Sequence, residues 1–254
     1  MMIAPFCLLH LLPLVTTPEA PAAQTQDSTP VVAGEDVEAH AWAGSVAIGG
    51  SITDGNTNIT RGSVTADGVR QREKDRVTLG LSWNYAEEEE LLTQRRTFAR
   101  GQYDYFLSEK SYLLGDLSVQ SDAEADLDLR TSVGTGYGRQ LMDDDTWKLG
   151  VEAGVAYVDE DLGGVPGNDF LAARLAYDVT WQATKAVACA QHMKLYPSLE
   201  DAEDVFGQLD TRVKVSLTES MFAQAQWVFD WNNTPATGRD RADNLFLVSI
   251  GWSF

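Results

Sequence analysis

The sequence predicts an all-β fold: a single antiparallel transmembrane β-barrel of the outer-membrane type, with about twelve strands. Three observations predict it. The chain ends in an alternating strand that finishes on an aromatic residue, the connections between strands alternate between long and short, and the tryptophans share one face of the strands. Past the N-terminal region, no uninterrupted apolar run approaches the roughly 20 residues that a spanning helix needs.

The first 23 residues are predicted to be an export signal peptide. An apolar stretch, 3–15, is followed by small residues that suit cleavage near Ala22 or Ala23. The stretch 24–40 is rich in Thr, Ser, Pro and acids, and it is a predicted disordered periplasmic lead-in. The barrel is predicted over 41–254. Cys189 is its only cysteine, so no disulfide is expected within it.

From position 41 onward the chain repeats an alternating strand, a turn and another strand. The predicted strands are 41–52, 58–70, 76–86, 93–106, 111–120, 128–141, 146–158, 169–182, 186–196, 205–217, 221–232 and 242–254. The connections run long, short, long, short, most clearly in the second half. Outer-membrane barrels have short periplasmic turns, longer outer loops and an even number of strands. Both termini are therefore expected on the periplasmic side.

All seven tryptophans fall on the outside if the more apolar face of each strand points to lipid. Most lie near strand ends, where amphipathic rings favour the boundary between membrane and water. The core of a soluble sandwich would explain the shared face but not the position near the ends. The predicted lipid-interface aromatics are Trp42, Trp83, Trp147, Trp181, Trp227, Trp231 and Trp252.

The same register points charged residues of both signs into the barrel. The predicted inward bases are Arg76, Arg96, Arg100, Arg130, Arg174, Arg212, Lys148, Lys194 and Lys214, and the predicted inward acids are Asp104, Asp116, Glu152, Asp178, Asp210 and Asp230. One interpretation is a structural network of ion pairs in a filled lumen. The other is a slightly basic constriction that passes small anions or sugars, with selectivity set by Arg96, Arg100, Arg130 and Arg174. Twelve strands lie between packed and open barrels, so both remain open.

The net charge of -19 is concentrated in connections predicted to face outward: 87–90, 122–128, 159–161 and 200–204. Carboxylate clusters there could bind divalent cations or repel anionic macromolecules, and solvation of the loops is the simplest explanation. The spacing matches no known calcium loop. This charge argues against binding of nucleic acid.

The end of the last strand carries a large apolar side chain at every second position, so these residues share one face. They are Phe246, Val248, Ile250, Trp252 and Phe254. In bacterial outer-membrane barrels a strand that ends in Phe or Trp closes the barrel and is recognised by the barrel assembly machinery. This set is therefore the predicted C-terminal assembly signal, and outer-membrane lipids and that machinery are the expected partners.

The sequence contains few candidate catalytic residues. The predicted barrel and its lead-in contain two histidines, His40 and His192, and only His192 points inward near a cation, Lys194. No Gly-x-Ser-x-Gly motif accompanies it, and no second His or Cys completes a metal site. We expect neither catalysis nor a cofactor or metal. A lipid-modifying hydrolase remains the lesser alternative.

The first strand and loop also carry a family resemblance, in Trp42-x-Gly44-x-Val46-x-Ile48-Gly49 and Thr53-x-Gly55-Asn56-Thr57. Further agreement comes from Gly134-Thr-Gly136-Tyr137-Gly138-Arg139 and Leu149-Gly-Val-Glu152-Ala-Gly154. The chain resembles the salt-induced outer-membrane protein family, domain of unknown function 481, over about 41–254. The resemblance implies an outer-membrane barrel linked to salt response, and it brings no catalytic residues. The leading hypothesis is a non-catalytic envelope-stress protein of the outer membrane. The alternative is a narrow passive channel for small anions or sugars.

Overall fold

The structure is a computed structural model that describes residues 42–53, 59–89, 91–163 and 167–254. The predicted signal peptide and lead-in lie outside the described residues. Within the described residues, no helix is long and apolar enough to cross a membrane.

Twelve strands form one closed antiparallel barrel, in which each strand pairs with its neighbours in the sequence and β12 returns to β1. The strands are β1 Ala43–Thr53, β2 Ile59–Gln71, β3 Asp75–Glu88, β4 Leu91–Ser108, β5 Ser111–Asp122, β6 Leu127–Asp143, β7 Trp147–Leu162, β8 Asn168–Thr184, β9 Val187–Pro197, β10 Val205–Ser216, β11 Met221–Asn232 and β12 Ala242–Ser253. The predicted fold class and strand order are confirmed.

Several strands are longer than the sequence pattern predicts. β4 has 18 residues and β7 has 16, whereas a barrel strand needs only about 9–11 to cross a bilayer. The additional pairs lie largely at the end of the barrel that faces away from the start of β1, as in Glu88 with Leu91 and Leu127 with Leu162. Much of the acidic sequence predicted as loop, including 87–88 and 159–161, therefore lies on strand ends. Hydropathy alternation fails there because acidic residues occupy both faces, as in the exposed Asp159 and Asp161 and the buried Glu160 between them.

The two ends of the barrel differ. Five short turns, 72–74, 109–110, 144–146, 185–186 and 217–220, lie at the end where β1 begins and β12 ends, which we call the turn end. The other end, the loop end, includes the longer connections 198–204 and 233–241. One turn is held by Asp144, whose carboxylate accepts hydrogen bonds from the backbone N–H groups of Trp147 and Thr146 at 2.8 and 2.9 Å. These bonds favour the charged form and lower the pKa of Asp144.

The two faces of the sheet have opposite character. Outward residues are mostly apolar and exposed, as are Leu79, Leu81, Val133 and Val155. Buried charged residues lie on the inner face, among them Arg174, Asp104, Asp116 and Glu152. An apolar exterior around a charged interior is the pattern of a barrel that crosses a membrane.

Candidate functional site in the barrel lumen

Arg174 on β8 is the centre of the lumen. Its side chain is 0% exposed. Its Nε lies 2.8 Å from Asp116 Oδ1 on β5, and its Nη2 lies 2.8 Å from Glu152 Oε2 on β7. Lys194 on β9 donates to the other oxygen of Asp116 at 2.9 Å. Since β5 and β9 are separated by three strands, these bonds cross the lumen instead of following the sheet.

The network continues toward the turn end. Gln102 Nε2 donates to Glu152 and to Asp104, both at 2.9 Å. Asp104, which is fully buried, is paired with Arg76 at 2.7 Å. The Tyr112 hydroxyl donates to Glu152 at 2.8 Å, and the Arg76 guanidinium carbon lies 5.1 Å from the Tyr112 ring centroid. Side chains of β3, β4, β5, β7, β8 and β9 thus form one connected network.

Two further clusters cross the lumen. Arg212 on β10 is paired with its neighbour Asp210 and with Asp67 on β2, each at 2.7 Å. Arg96 on β4 binds Asp230 on β11, almost opposite, with Asp122 at 3.7 Å.

The loop-end half of the lumen is partly apolar. Phe206 stacks on Tyr196 with ring centroids 4.8 Å apart and meets the edge of Phe170. The guanidinium carbon of Arg130 lies 4.2 Å from the centroid of the Phe206 ring while its Nη2 lies 2.7 Å from Glu160 Oε2. With Ala156, Val158 and Ala172 these rings form a cluster that we call the apolar plug: Ala156, Val158, Phe170, Ala172, Tyr196 and Phe206.

All predicted inward bases and acids lie on the inner face of the barrel. The four predicted selectivity residues, Arg96, Arg100, Arg130 and Arg174, all line the lumen, and each has a carboxylate partner. Their role in selectivity stays a prediction. Asp67, Asp122, Glu160 and Asp243 also face inward, so the lumen contains more acids than the sequence indicates, and the slightly basic character of a constriction stays a prediction. Asp67 and Asp243 were outside the predicted inward set, and Asp122 and Glu160 were predicted to lie in loops.

Small cavities remain between the clusters. The outer cavity, near the loop end, has a volume of about 70 Å³ and is bordered by Arg130, Tyr196 and Asp230. The middle cavity, about 30 Å³, shares Phe98 and Gln208 with it. The inner cavity, about 80 Å³, shares Arg100 and His192 with the middle one. At roughly 10–15 Å³ per water these volumes suit a few waters each.

Glycines on β6 make room for this network. A Cβ on Gly134 would lie 2.4 Å from Asp116 Oδ1 and 3.1 Å from Arg174 Cδ, and one on Gly138 would lie 2.2 Å from the Tyr112 ring. The Gly-x-Gly patterns of 134–138 lie within β6 and no helix follows them, so they are not phosphate loops.

We expect Gly134→Val to lower the free energy of unfolding by about 1–3 kcal/mol, the usual cost of overpacking. Gly115→Val is the matched control, because Gly115 is the register neighbour of Thr135 on the outward face and a Cβ there has its nearest neighbour at 4.0 Å. Urea titration of both refolded variants measures the difference. Equal stability of the two variants would show that Gly134 has no packing role.

His192 lies in the lumen as predicted, with Nδ1 2.5 Å from Asp178 Oδ1. A base held by a carboxylate resembles two members of a hydrolytic triad. The inner cavity beside His192 is lined by no serine or cysteine, and the middle cavity, which His192 also borders, is lined by Ser82. Among the described residues no group of three or more His, Cys, Asp or Glu is arranged to hold a metal ion.

The predicted membrane-facing aromatics lie on outward positions of their strands. Trp42, Trp83, Trp147, Trp181 and Trp252 are exposed, while Trp227 and Trp231 are half-buried. Trp147 and Trp181 stack at the turn end with ring centroids 5.5 Å apart, and Trp227 stacks on Phe246. Trp231 also borders the outer cavity.

The predicted assembly-signal residues of β12 are all exposed on its outer face: Phe246, Val248, Ile250, Trp252 and Phe254. The terminal Phe254 also takes part in barrel closure. Its backbone N–H donates to Gly44 O and its backbone O accepts from Gly44 N, both at 2.9 Å.

A closed barrel with an apolar outer belt and a charged lumen belongs to the class of bacterial outer-membrane barrel proteins. The outer membrane is also the location that the sequence predicts. The NanC porin has this fold, with a TM-score of 0.51 at 10% identity over 83% of this chain and 100% of that one. The chain belongs to the DUF481 family of proteins of unknown function, whose sequence model matches residues 46–254. This confirms the family resemblance.

Two further solved structures show lower similarity. The translocator domain of the autotransporter NalP from Neisseria meningitidis has a TM-score of 0.46 at 12% identity, over 84% of this chain and 87% of that one. The KdgM porin has a TM-score of 0.44 at 6% identity, over 84% and 99%. No curated protein sequence matches the chain.

Proposed function

We propose that this protein is a non-catalytic outer-membrane barrel whose lumen is closed to solutes by ion pairs that cross it. The proposal is carried by the position of Arg174. Its side chain is fully buried on the lumen side of β8 and binds carboxylates on β5 and β7. Side chains that are buried and mutually neutralised leave no continuous path for a hydrated ion. The apolar plug supports the same conclusion for the loop-end half.

The physiological role we propose is support of the envelope under osmotic or ionic stress. The family resemblance seen in the sequence motivates this role, and a barrel that adds no leak to the membrane is compatible with it. A deletion strain grown across a range of osmolarity and salt concentration tests it. Growth equal to the parent strain in every condition would remove the role.

A narrow passive channel is the second candidate, and the row of three cavities favours it. The middle cavity shares lining residues with both of the others, so modest side-chain movement would join them. Arg100, which borders the middle and inner cavities and is only 3.9 Å from Asp67, is the most loosely paired of the four predicted selectivity arginines.

Conductance of the refolded protein in a planar bilayer separates these candidates, after heat-dependent gel migration has confirmed a folded barrel. We expect no discrete steps from the unmodified protein. The double variant Arg96→Ala/Asp230→Ala removes the pair that joins β4 to β11 and is expected to introduce steps. Steps in the unmodified protein whose ion preference changes with Arg100→Glu would replace the closed lumen with a channel.

The absence of catalysis is tested at His192. If the barrel were a lipid-modifying hydrolase, the pair of His192 and Asp178 would supply its base. We expect lipid extracts from strains that carry the unmodified protein and His192→Ala to be identical by mass spectrometry. A lipid species that disappears with His192→Ala would contradict the proposal.

We also propose that Phe254 is recognised during assembly by the barrel assembly machinery. We expect Phe254→Ser to lose most of its folded protein from the outer membrane of cells while it still refolds in detergent, because serine keeps both backbone bonds to Gly44. Tyr103→Ser is the control, since Tyr103 is also an exposed aromatic residue but lies on β4, outside the predicted signal. Heat-modifiable protein in membrane fractions is the measurement, and normal levels of Phe254→Ser would exclude the role.

Divalent cations remain a proposed partner of the acidic loop end. The carboxylates that the sequence predicts as ligands fall partly on the outer strand ends of β3 and β7. Calorimetric titration with calcium tests this directly.

A further inference from the structure

The seam between β1 and β12 is paired over only half its length. Register partners run only from Ser45 with Ser253 to Ile48 with Ile250, and the two bonds between Gly44 and Phe254 complete it at the turn end. By contrast, β11 and β12 pair from Met221 with Trp252 to Trp231 with Ala242. The register of the seam would continue from Gly49 with Ser249 to Thr53 with Leu245, yet the described strands form none of these pairs.

An unpaired seam is costly in hydrocarbon. Backbone N–H and C=O groups without partners cost several kcal/mol each in a membrane, which is why spanning barrels close all their edges. At the loop-end half of this seam, the β1 edge begins with the small residues Gly49, Gly50 and Ser51, and the strands still touch at Gly49, where a Cβ would lie 2.5 Å from Val248 O. The edge of β12 carries Phe246 and Val248 outward, 73% and 77% exposed, more than any other large apolar side chain in the described residues.

The middle cavity adjoins β12 in this part of the seam. It is lined by Leu245 and Leu247 of β12, and by Thr65 and Asp67 of β2, which pair with Ala47 and Ser45 of β1. Thr65, Ser82 and Gln208 of its lining can hold a water there. Asn84 Oδ1, buried in the same cavity without a hydrogen-bond partner, also requires a donor there.

The cavity is amphipathic. Its lining from β11 and β12 is largely apolar, with Val228, Leu245 and Leu247 turned inward beside Gln226. Residues 245–248 are consequently apolar on both faces, although the inner face of a membrane barrel is ordinarily polar. Arg100 of β4 and Arg212 of β10 supply basic groups to the cavity, beside Asp67 and Asp210. Arg212 is held by two carboxylates, whereas the contact of Arg100 with Asp67 is 3.9 Å.

We propose that the loop-end half of the β1–β12 seam is a lateral portal for a long-chain fatty acid. The acyl chain lies in the seam along Leu245 and Leu247 and extends into the bilayer, and the carboxylate occupies the middle cavity beside Arg100. The volumes agree with this arrangement. A cavity of about 30 Å³ replaces roughly two waters, which suits a carboxylate and not a chain. The closed lumen and the portal are compatible, because the portal opens sideways and not along the barrel axis.

The open seam is tested by paired cysteines in a Cys189→Ser background. Ser51→Cys/Leu247→Cys probes the unpaired half, and Ser45→Cys/Ser253→Cys is the matched control in the paired half. Both pairs face the lumen. Gly44 and Phe254 form a hydrogen-bonded pair, so 45/253 and 51/247 are non-hydrogen-bonded pairs, in which opposite Cα atoms approach most closely. A disulfide does not form when the Cα atoms are more than about 7 Å apart. In lipid bilayers we expect the control pair to oxidise and the test pair to stay reduced.

The ligand is tested with a palmitic acid that carries a photoactivatable diazirine close to its carboxylate. We expect the label in the tryptic peptide that contains Leu245 and Leu247. Arg100→Gln should reduce the labelling of this peptide about tenfold, because the variant removes one charge-assisted hydrogen bond to the carboxylate. Lys148→Gln, which removes a base from the inner cavity only, should label as the unmodified protein does. Oxidation of the 51/247 pair as rapid as that of the 45/253 pair would show a closed seam. Labelling that Arg100→Gln leaves unchanged would show lipid bound only on the outside, and either result would overturn the portal.

Discussion

Arg174→Met is expected to lower the free energy of unfolding by about 3–5 kcal/mol, the usual loss when one partner of a buried ion pair is removed. Methionine has a similar length, so little cavity forms. What remains is charge: Glu152 loses its ion pair with Arg174, and Asp116 keeps its ion pair with Lys194. Urea titration of the refolded barrel in micelles, followed by tryptophan fluorescence, measures the change.

Two controls make the Arg174 result specific. Arg139→Met removes the same group from an exposed outward position on β6 and should change stability by less than about 0.5 kcal/mol. Adding Glu152→Gln to Arg174→Met should recover part of the loss, because Tyr112 and Gln102 still donate to the amide oxygen while the buried negative charge is gone. If the double variant were as unstable as the sum of the single ones, the ion pair would not be the cause.

Phe206→Ala is expected to cost about 3–5 kcal/mol, as for other buried aromatic residues that are truncated. The substitution removes the ring that stacks on Tyr196, meets Phe170 and underlies the Arg130 guanidinium. The space it leaves adjoins the outer cavity, which Phe206 itself lines. The same urea titration applies.

Phe246→Ala provides the comparison for Phe206→Ala. It deletes an equal volume from the lipid-facing surface, where detergent or lipid fills the gap, so a much smaller loss is expected. Similar losses for the two variants would mean that the apolar plug does not stabilise the barrel.

The strands and their faces could be predicted because alternation is a local property. Once the outward position of Trp181 or Trp252 is fixed, every second residue follows, and all predicted inward charges on β3 to β11 are confirmed as inward. Strand ends could not be predicted, since alternation is lost where polar residues occupy both faces. That is why Asp122 and Glu160, on the outer ends of β5 and β7, were missed as lumen residues.

Pairing across the lumen depends on barrel closure, which no local pattern encodes. Nothing near Arg96 in the sequence indicates that Asp230 will lie opposite it. The apolar plug did leave a signal, because residues 155–158 and 170–173 are apolar on both faces. The same signal occurs at 245–248, beside the seam. Such runs break the alternation and indicate where a barrel interior is not merely water and charge.

The partners in the lumen are far apart along the chain: Asp67 and Arg212 by 145 residues, and Arg96 and Asp230 by 134. Contacts of such separation form late in folding, because the intervening chain must be ordered first. A sheet that still lacks β10 and β11 would present Arg96 and Asp67 without these partners. The ion pairs therefore stabilise the completed barrel and do not stabilise its partly folded intermediates, which makes closure an all-or-none step.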